Sequence, residues 1–266
     1  MNGTVAEHDE RIAERIAERI EGTFAPVFAR VDSWRSAVQE QFGRFAAHGR
    51  AASAAVLDPF MAALALPALE EPGGLMTGAG FVATPGVLAD APWHLAWWLR
   101  EISGLDRGDR GGVRRLDTVD DPDSDQFRDY RELEWWKVPE RTGQRHVTGP
   151  YVDYLCTDDY TITVTAPVAH DGRMVGVVGI DVHVSRLERT ILPLLRDVPG
   201  TCTVVNHSRR VVASNDSHRV TGTLLRGDDV QLALTALQEQ GSASAAVGET
   251  RAARCGDTSL ILVFQG

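Results

Sequence analysis

The fold is decided by one stretch of the chain, residues 148–188, with the sequence TGPYVDYLCTDDYTITVTAPVAHDGRMVGVVGIDVHVSRLE. Residues 160–168 alternate apolar and threonine side chains, which is the two-residue period of a strand with unlike faces. Residues 170–172 (HDG) then supply a turn, because glycine tolerates the positive φ of a tight hairpin. An apolar, β-branched run returns at residues 174–184. The stretch therefore predicts a β-hairpin.

One residue interrupts the second strand of this hairpin. Asp181 lies between Ile180 and Val182, in a run that is otherwise apolar. A carboxylate in such a position is costly unless another group pairs with it. Asp181 is therefore a candidate functional residue.

The same stretch resembles a known family. The resemblance rests on residues 150–153 (PYVD), the run ITVTAPV, the Asp-Gly turn, the run GVVGIDV and Leu187. Together these are similar to the core of a Cache sensor domain, and more narrowly to the double-Cache sensors of bacterial chemoreceptors and sensor kinases. The resemblance implies an α/β (α+β) protein, with a long N-terminal helix followed by two PAS-like modules with antiparallel sheets. It also implies a ligand pocket in the distal module.

Composition and charge exclude several classes of function. The 266 residues carry a formal net charge of −10, which argues against a nucleic-acid surface and against docking on anionic lipid. The sequence has neither the apolar core of a signal peptide nor the run of about 18 apolar residues that a membrane-spanning helix needs. We therefore expect a free-standing cytoplasmic protein with no membrane or nucleic-acid partner.

Metal and cofactor sites are not predicted. Cys156, Cys202 and Cys255 are too few and too scattered for a disulfide framework or a zinc site. The acidic run at residues 120–125 resembles a calcium loop but lacks the ordered spacing and the closing glutamate. Buried free thiols are the simplest interpretation of the cysteines.

Residues 1–65 are predicted to form a long N-terminal helical segment. Apolar side chains recur three or four residues apart from Ile12 to Phe45, as on one stripe of a helix. Pro26 should kink or divide this helix. The stripe has two possible partners: the chain's own sheets, or a second copy of the chain. In the resembled family the helix contacts both, so a homodimer through this helix is expected.

Residues 66–190 are expected to form the distal module with the ligand pocket. A helix is predicted at 127–136, ending at the pocket and stopped by Pro139. A strand is predicted at 93–102, whose three tryptophans cannot all share one face. At least one of them should point into the core or the pocket, and Trp98 is the candidate for the pocket.

The resemblance also implies the ligand-binding residues. Amino-acid sensors of this family carry an arginine, one further residue and two aromatics, then Tyr-x-Asp, then an aspartate on the last strand. Leu133 stands where the arginine is expected, so the group that would pair with a ligand carboxylate is missing. Two carboxylates and aromatic faces remain, which suit an amine, a methylated amine or an amino-acid-like ligand. The matching residues are Trp135, Trp136, Tyr151, Asp153 and Asp181.

Other interpretations of these residues stay open. The tryptophans could simply pack the core while Asp153 caps a turn. An enzyme could use Asp153 and Asp181 as an acid–base pair, although the sequence has no GxSxG, HExxH or phosphate-loop motif. A ligand-free dimerisation module is a further alternative. The function expected here is a small-molecule sensor, not an enzyme, which signals to a partner such as a transcription regulator or a transporter component.

Residues 191–266 are predicted to form a smaller proximal module that is also PAS-like. Two short strands around residues 207–210, a helix at 228–240 and closing strands make a truncated α/β unit. No cluster of polar residues appears in it. We therefore expect no pocket of ligand size in the proximal module.

Overall fold

The computed structural model of the chain describes most of the residues. Cys156 and part of the charged loop that begins near residue 105 lie outside the described residues. Side chains are described from residue 11 onwards. The described ranges are 2–101, 112–153, 160–196, 198 and 200–265.

Two helices open the chain. α1 (Asn2–Ala47) is continuous through Pro26, so the expected division at this proline is not observed. A proline inside a helix removes one backbone hydrogen bond, and the buried apolar neighbours of Pro26 hold the helix together on both sides. The chain breaks instead at residues 48–53, and α2 (Ala54–Leu69) follows.

The distal module is built on a six-stranded antiparallel sheet with the strand order β3-β2-β1-β6-β5-β4. The predicted hairpin is confirmed as β5 and β6, and its turn has positive φ at Asp171 (50°) and Gly172 (74°). The strands are β1 (Met76–Ala83), β2 (Leu95–Arg100), β3 (Val113–Arg115), β4 (His146–Val152), β5 (Tyr160–His170) and β6 (Arg173–His183).

Each face of this sheet has its own cover, and strand alternation assigns every side chain to one of them. We call the face under α1 and α2 the helix face; its side chains include Phe81, Trp98, Ile162, Val164 and Ile180. We call the opposite face the cleft face; its side chains include Val82, Trp97, Thr163, Val177 and Asp181. The predicted alternation of apolar residues and threonines along β5 is confirmed.

The cleft face is covered by a short helix that the sequence placed incorrectly. A 3₁₀ turn at Tyr130–Glu132 precedes α3 (Glu134–Thr142). The tryptophan pair therefore lies at the start of a helix and not at the end of one. Pro139 lies inside α3 and does not stop it; the helix ends at Gly143, whose φ of 67° is the left-handed conformation favoured at helix ends.

The proximal module follows α4 (Val184–Arg196) and is a five-stranded antiparallel sheet with the order β8-β7-β11-β10-β9. α5 (Asp228–Gln240) packs on one face of this sheet through a separate apolar cluster. The α/β fold class with two modules is confirmed. The strands are β7 (Thr201–Asn206), β8 (Val211–Ser214), β9 (Ser244–Val247), β10 (Thr250–Arg254) and β11 (Leu260–Gln265).

The apolar stripe of α1 is covered by the chain itself. α1 contacts β5 and β6 of the distal sheet, β10 and β11 of the proximal sheet, and α4. Phe24, Val31 and Val38 have at most 1% of their surface exposed. Packing on its own sheets therefore accounts for the stripe, and the expectation that the stripe pairs with a second copy is wrong. The homodimer stays a prediction that needs another surface.

Candidate functional site

A cleft opens on the cleft face of the distal sheet, between the sheet and α3. It brings together four of the six predicted site residues, from three separate parts of the chain. Buried carboxylates, aromatic faces and hydroxyls all meet there. The lining residues are Val82, Leu95, Trp97, Trp135, Tyr151, Asp153, Thr163 and Asp181.

A chain of hydrogen bonds holds the carboxylate of Asp181. Thr163 faces Asp181 across the β5–β6 pair and donates to its Oδ1 at 2.6 Å. The indole Nε1 of Trp97 donates to Oδ2 at 3.1 Å. The phenol of Tyr151 shares a hydrogen bond of 2.7 Å with the hydroxyl of Thr163. The carboxylate that the sequence left without a partner is thus fixed through both of its oxygens.

The electrostatics of the cleft are dominated by two acidic groups. Asp153 and Asp181 are 5% and 4% exposed. Burial and the nearby charge of Asp153 raise the pKa of Asp181 to about 7, although the hydrogen bonds from Thr163 and Trp97 oppose this shift. None of the described lining residues is cationic. The cleft is therefore suited to a group that brings positive charge.

Two glycines make room for the indole of Trp97. A Cβ on Gly78 would lie 2.5 Å from Oδ2 of Asp181 and 2.9 Å from Nε1 of Trp97, and a Cβ on Gly179 would lie 2.9 Å from the far end of the indole ring. Gly78 lies on β1, which separates β2 from β6, and its missing side chain allows the indole to reach Asp181 across β1. A Cβ on Gly80 would instead meet the backbone of Ala96 and Trp97, so this glycine allows close approach of β2 to β1.

Trp135 is anchored to the sheet through a consequence of Pro139. A proline has no backbone N–H, so the carbonyl four residues earlier in a helix loses its usual partner. That carbonyl belongs to Trp135, and it accepts a hydrogen bond of 2.7 Å from the hydroxyl of Thr165 on β5. The proline and the threonine together set the position of the tryptophan that closes one side of the cleft.

Two predicted site residues lie outside the cleft. Trp98 points to the helix face, where it packs in the main core and lies 5.9 Å from the guanidinium of Arg115; its assignment to the pocket is corrected. Trp136 is fully buried and packs against Tyr130 and Trp135, so it contacts the wall of the cleft. Both tryptophans therefore pack near the cleft without lining it.

Trp97, like Thr163, is a site residue that sequence reasoning missed. It is adjacent to Trp98, so strand alternation required one of the pair to face the cleft. The phase of that alternation could not be read from a run with apolar residues on both faces. The usable clue was on β1, where Gly78 and Gly80 share one face and indicate close approach of another group.

The arginine that a ligand carboxylate would require is absent from the described cleft. Leu133, at the expected position, caps α3 and packs against the aromatic cluster. The nearby Arg131 pairs with Asp129 at 2.7 Å and lies 4.8 Å from the ring of Trp93. Arg131 is therefore engaged elsewhere.

The cleft is narrow in this conformation. It leaves about 20 Å³ for the centres of water molecules, enough for about one water. A metabolite therefore requires the lining side chains to move apart.

The proximal module also differs from expectation. An open groove with a volume of about 360 Å³ lies beside β10 and β11, lined in part by His207, Arg254 and Asp257. The expectation of no ligand-sized space in this module is therefore wrong. Within the described ranges, no group of three acidic, histidine or cysteine side chains could hold a metal ion. Cys202 and Cys255 are buried free thiols.

Comparison with known families matches the part of the chain that builds the cleft. Residues 113–189 match the family model described as methyl-accepting chemotaxis protein-like, first PDC sensor domain. These residues include β3 to β6 and α3, and so contain Trp135, Asp153 and Asp181. This part of the chain is therefore similar to a sensor module of the PDC type. Comparison with curated protein sequences finds no match.

Solved sensor domains share the fold over nearly the whole chain. A structure titled methyl-accepting chemotaxis protein X has a TM-score of 0.63 at 16% identity, covering 98% of this chain and 97% of that one. The ligand-binding domain of the Campylobacter jejuni chemoreceptor Tlp3, with L-valine, has a TM-score of 0.55 at 12% identity, covering 98% and 94%. That of the Pseudomonas aeruginosa chemoreceptor PctC, with GABA, has a TM-score of 0.52 at 16% identity, covering 98% and 100%.

These comparisons show the fold of the chain. The resemblance to double-Cache sensor domains is confirmed by the family match and by the fold. The protein has the architecture of the ligand-binding part of a chemoreceptor. Among the described helices, none combines the length and the apolar character needed to cross a bilayer.

Proposed function

We propose that this protein is a small-molecule sensor that binds an amine-bearing metabolite in the cleft of the distal module. The observation that carries the proposal is the pair of buried carboxylates, Asp153 and Asp181, on a cleft whose described lining has no cationic side chain. Without a ligand, burial and the nearby charge of Asp153 disfavour the charged form of Asp181. A bound ammonium group favours that charged form.

The aromatic walls of the cleft support the same ligand class. Trp97 and Trp135 place indole rings beside the carboxylates, and aromatic faces attract primary and methylated ammonium groups. The ligands of the structurally similar Tlp3 and PctC domains, L-valine and GABA, carry an ammonium group together with a carboxylate, so they support the amine part of the proposal only.

The presence of Leu133 where an arginine is expected narrows the range of ligands that the cleft should bind. Arginine is the residue that holds a ligand carboxylate through two parallel hydrogen bonds. A cleft without this group gains little from a ligand carboxylate and places it beside two acidic side chains. We therefore propose a preference for amines without a carboxylate over amino acids. A partner protein then recognises the ligand-bound state. The nature of this partner, a regulator or a transporter component, remains a prediction. The cytoplasmic location and the homodimer also remain predictions.

A thermal-shift panel tests the proposal. The panel contains putrescine, trimethylamine, L-glutamine, GABA and succinate, applied to the wild-type chain and to Asp181→Ala. The amines should raise the Tm of wild type, succinate should not, and Asp181→Ala should lose the response. Truncation of a buried charge pair costs ~2–5 kcal/mol, or about 30-fold or more in affinity.

A control compares a tryptophan that lines the cleft with one on the helix face. Trp135→Ala should weaken the response to amines, while Trp98→Phe should keep it, because Trp98 lies on the helix face. Equal shifts in wild type and Asp181→Ala, or a response to succinate alone, would refute the amine site.

A further inference from the structure

The two modules meet at β4, the edge strand of the distal sheet. At the end of β7, the Nδ2 group of Asn206 donates a hydrogen bond of 2.9 Å to the carbonyl of Gly149 on β4. The hydroxyl of Ser259 donates to the carbonyl of Val147 at 3.0 Å. Asn206 is 5% exposed, so its bond to Gly149 is shielded from water. The proximal module is therefore hydrogen-bonded directly to the strand that carries Tyr151.

The other half of the Asn206 side chain organises the proximal module. Its Oδ1 accepts hydrogen bonds from the backbone N–H groups of Ser208, at 3.0 Å, and Arg210, at 2.9 Å. These bonds shape the turn between β7 and β8. One amide group therefore joins the β7–β8 turn to β4, and neither can shift without affecting the other.

Gly149 lies at the point where β4 changes register against β5. The irregularity falls between Thr148 and Tyr151, and the φ of Gly149 is 113°. A Cβ there would lie 2.6 Å from the carbonyl of Thr161, so the conformation requires glycine. Tyr151 follows two residues later. The position of the Tyr151 side chain in the cleft therefore depends on the contacts that fix this irregular segment.

We propose that Asn206 couples the cleft to the proximal module, by holding the β4 segment that positions Tyr151. The contacts run from Asn206 to Gly149, along the backbone to Tyr151, then through Thr163 to Asp181. Widening of the cleft moves Tyr151, and the β7–β8 turn must follow. Asn206 is thus a positioning residue for the cleft. The coupling rests on the proposed function only in treating the cleft as the site where a ligand acts.

Asn206→Asp tests the bond between the modules selectively. The aspartate keeps an acceptor oxygen for the N–H groups of Ser208 and Arg210, which preserves the turn. It replaces the donor to Gly149 with a carboxylate oxygen that faces a carbonyl. The variant therefore removes the bond to the distal module while retaining those within the turn.

Asn215→Asp is the matched control. The Oδ1 of Asn215 accepts from the N–H of Cys202 at 2.8 Å. Its Nδ2 donates to the carbonyls of Leu195 and Gly200, on α4 and just before β7. The same substitution there removes a donor and adds a charge without breaking a contact to β4.

The readout is the indole N–H resonance of Trp97, followed from pH 5 to 9 in the full chain without ligand and assigned by Trp97→Phe. It reports the titration of Asp181, because this N–H donates to that carboxylate. In Asn206→Asp the midpoint of the Asp181 titration should rise by roughly 0.5 pH unit or more, because the Tyr151–Thr163 pair then stabilises the charged form of Asp181 less well. Asn215→Asp should leave this midpoint unchanged. An unchanged midpoint in Asn206→Asp, or equal shifts in both variants, would overturn the coupling.

A reciprocal experiment starts from the distal side, because coupling between two sites acts in both directions. Tyr151→Phe removes the phenol that bonds to Thr163. It should speed hydrogen exchange of the Ser208 and Arg210 amides by about threefold or more in the proximal turn. Unchanged exchange would also overturn the coupling. Neither experiment uses a ligand, so failure of the amine proposal leaves both results interpretable.

Discussion

The indole Nε1 of Trp97 donates to Oδ2 of Asp181 at 3.1 Å, although the two residues lie on strands that are not neighbours. The intervening strand β1 carries Gly78 beside both groups, and the missing side chain leaves space for the ring. A donor on β2 and an acceptor on β6 thus meet across β1. This relationship makes the buried carboxylate a defined part of the cleft.

The adjacent tryptophans should behave differently when each is shortened. Trp97→Phe removes a hydrogen bond to the charged form of Asp181, so the pKa of this carboxyl should rise further above its ordinary value. Loss of a hydrogen bond to a charged group should lower stability at pH 8 by about 1.5–3 kcal/mol. Trp98→Phe alters packing on the helix face only, and should leave the titration in place. Carbon-detected NMR titration of the Asp181 carboxyl, with urea unfolding, checks both results.

Gly78→Ala should disrupt the cleft without altering any of its functional groups. The added Cβ would lie 2.5 Å from Oδ2 of Asp181, so the carboxylate or the indole of Trp97 must shift. We expect a loss of stability and of the amine response. Gly22→Ala is the control: it lies in α1 with nothing within 4 Å of the new Cβ, and should stabilise the protein by about 0.5–1 kcal/mol. Urea unfolding should show a lower free energy of unfolding for Gly78→Ala and a higher one for Gly22→Ala.

Stability should depend on pH through Asp181. Its pKa rises from 3.8 to about 7 on folding, so between these values the folded state binds the extra proton. The contribution of this carboxyl to stability is therefore largest below pH 4 and is lost as the pH rises to about 7, by about 4 kcal/mol at most. Asp181→Asn should match wild type near pH 4 and exceed it at pH 8.

The control for this pH dependence is Asp171→Asn. The side chain of Asp171 is 87% exposed, and asparagine accepts the positive φ of this turn. Its unfolding free energy should follow that of wild type at each pH. A parallel pH profile for Asp181→Asn and wild type would show that Asp181 is already charged throughout the range.

Shortening a buried side chain of the α1 stripe should lower the stability of the single chain, whether or not a second copy is present. Phe24 has no exposed surface, and replacement of a fully buried phenylalanine by alanine costs about 3–5 kcal/mol. We expect this loss for Phe24→Ala in urea unfolding, independent of protein concentration. A loss that grows on dilution would instead indicate that this residue is buried against a second copy.

The hairpin could be predicted from the sequence because its pattern is local. Alternation along β5 and the Asp-Gly turn specify a strand, its two faces and the return of the chain. Asp181 was identifiable because a carboxylate in an apolar strand requires compensation. The apolar stripe of α1 was visible for the same reason, since helical periodicity is a property of neighbouring residues.

The contacts between distant segments could not be predicted in this way. Trp97 and Trp98 are chemically equal in the sequence, and only the pairing of β2 with β1 decides which of them faces the cleft. The extension of α3 beyond Pro139 could not be predicted either, because a proline in the sequence usually indicates the end of a helix. The helix tolerates that proline where Thr165 provides a hydrogen bond to the released carbonyl of Trp135.

The sequence by itself thus determined the β5–β6 hairpin, the apolar stripe of α1 and the presence of a buried acid that requires a partner. Only the tertiary structure decided that the partners are Thr163 and Trp97, that α1 is covered by its own chain, and that Asn206 reaches Gly149. The physical reason is that periodicity follows from backbone geometry over a few residues. Hydrogen-bond partners and covered surfaces depend on how separate elements pack.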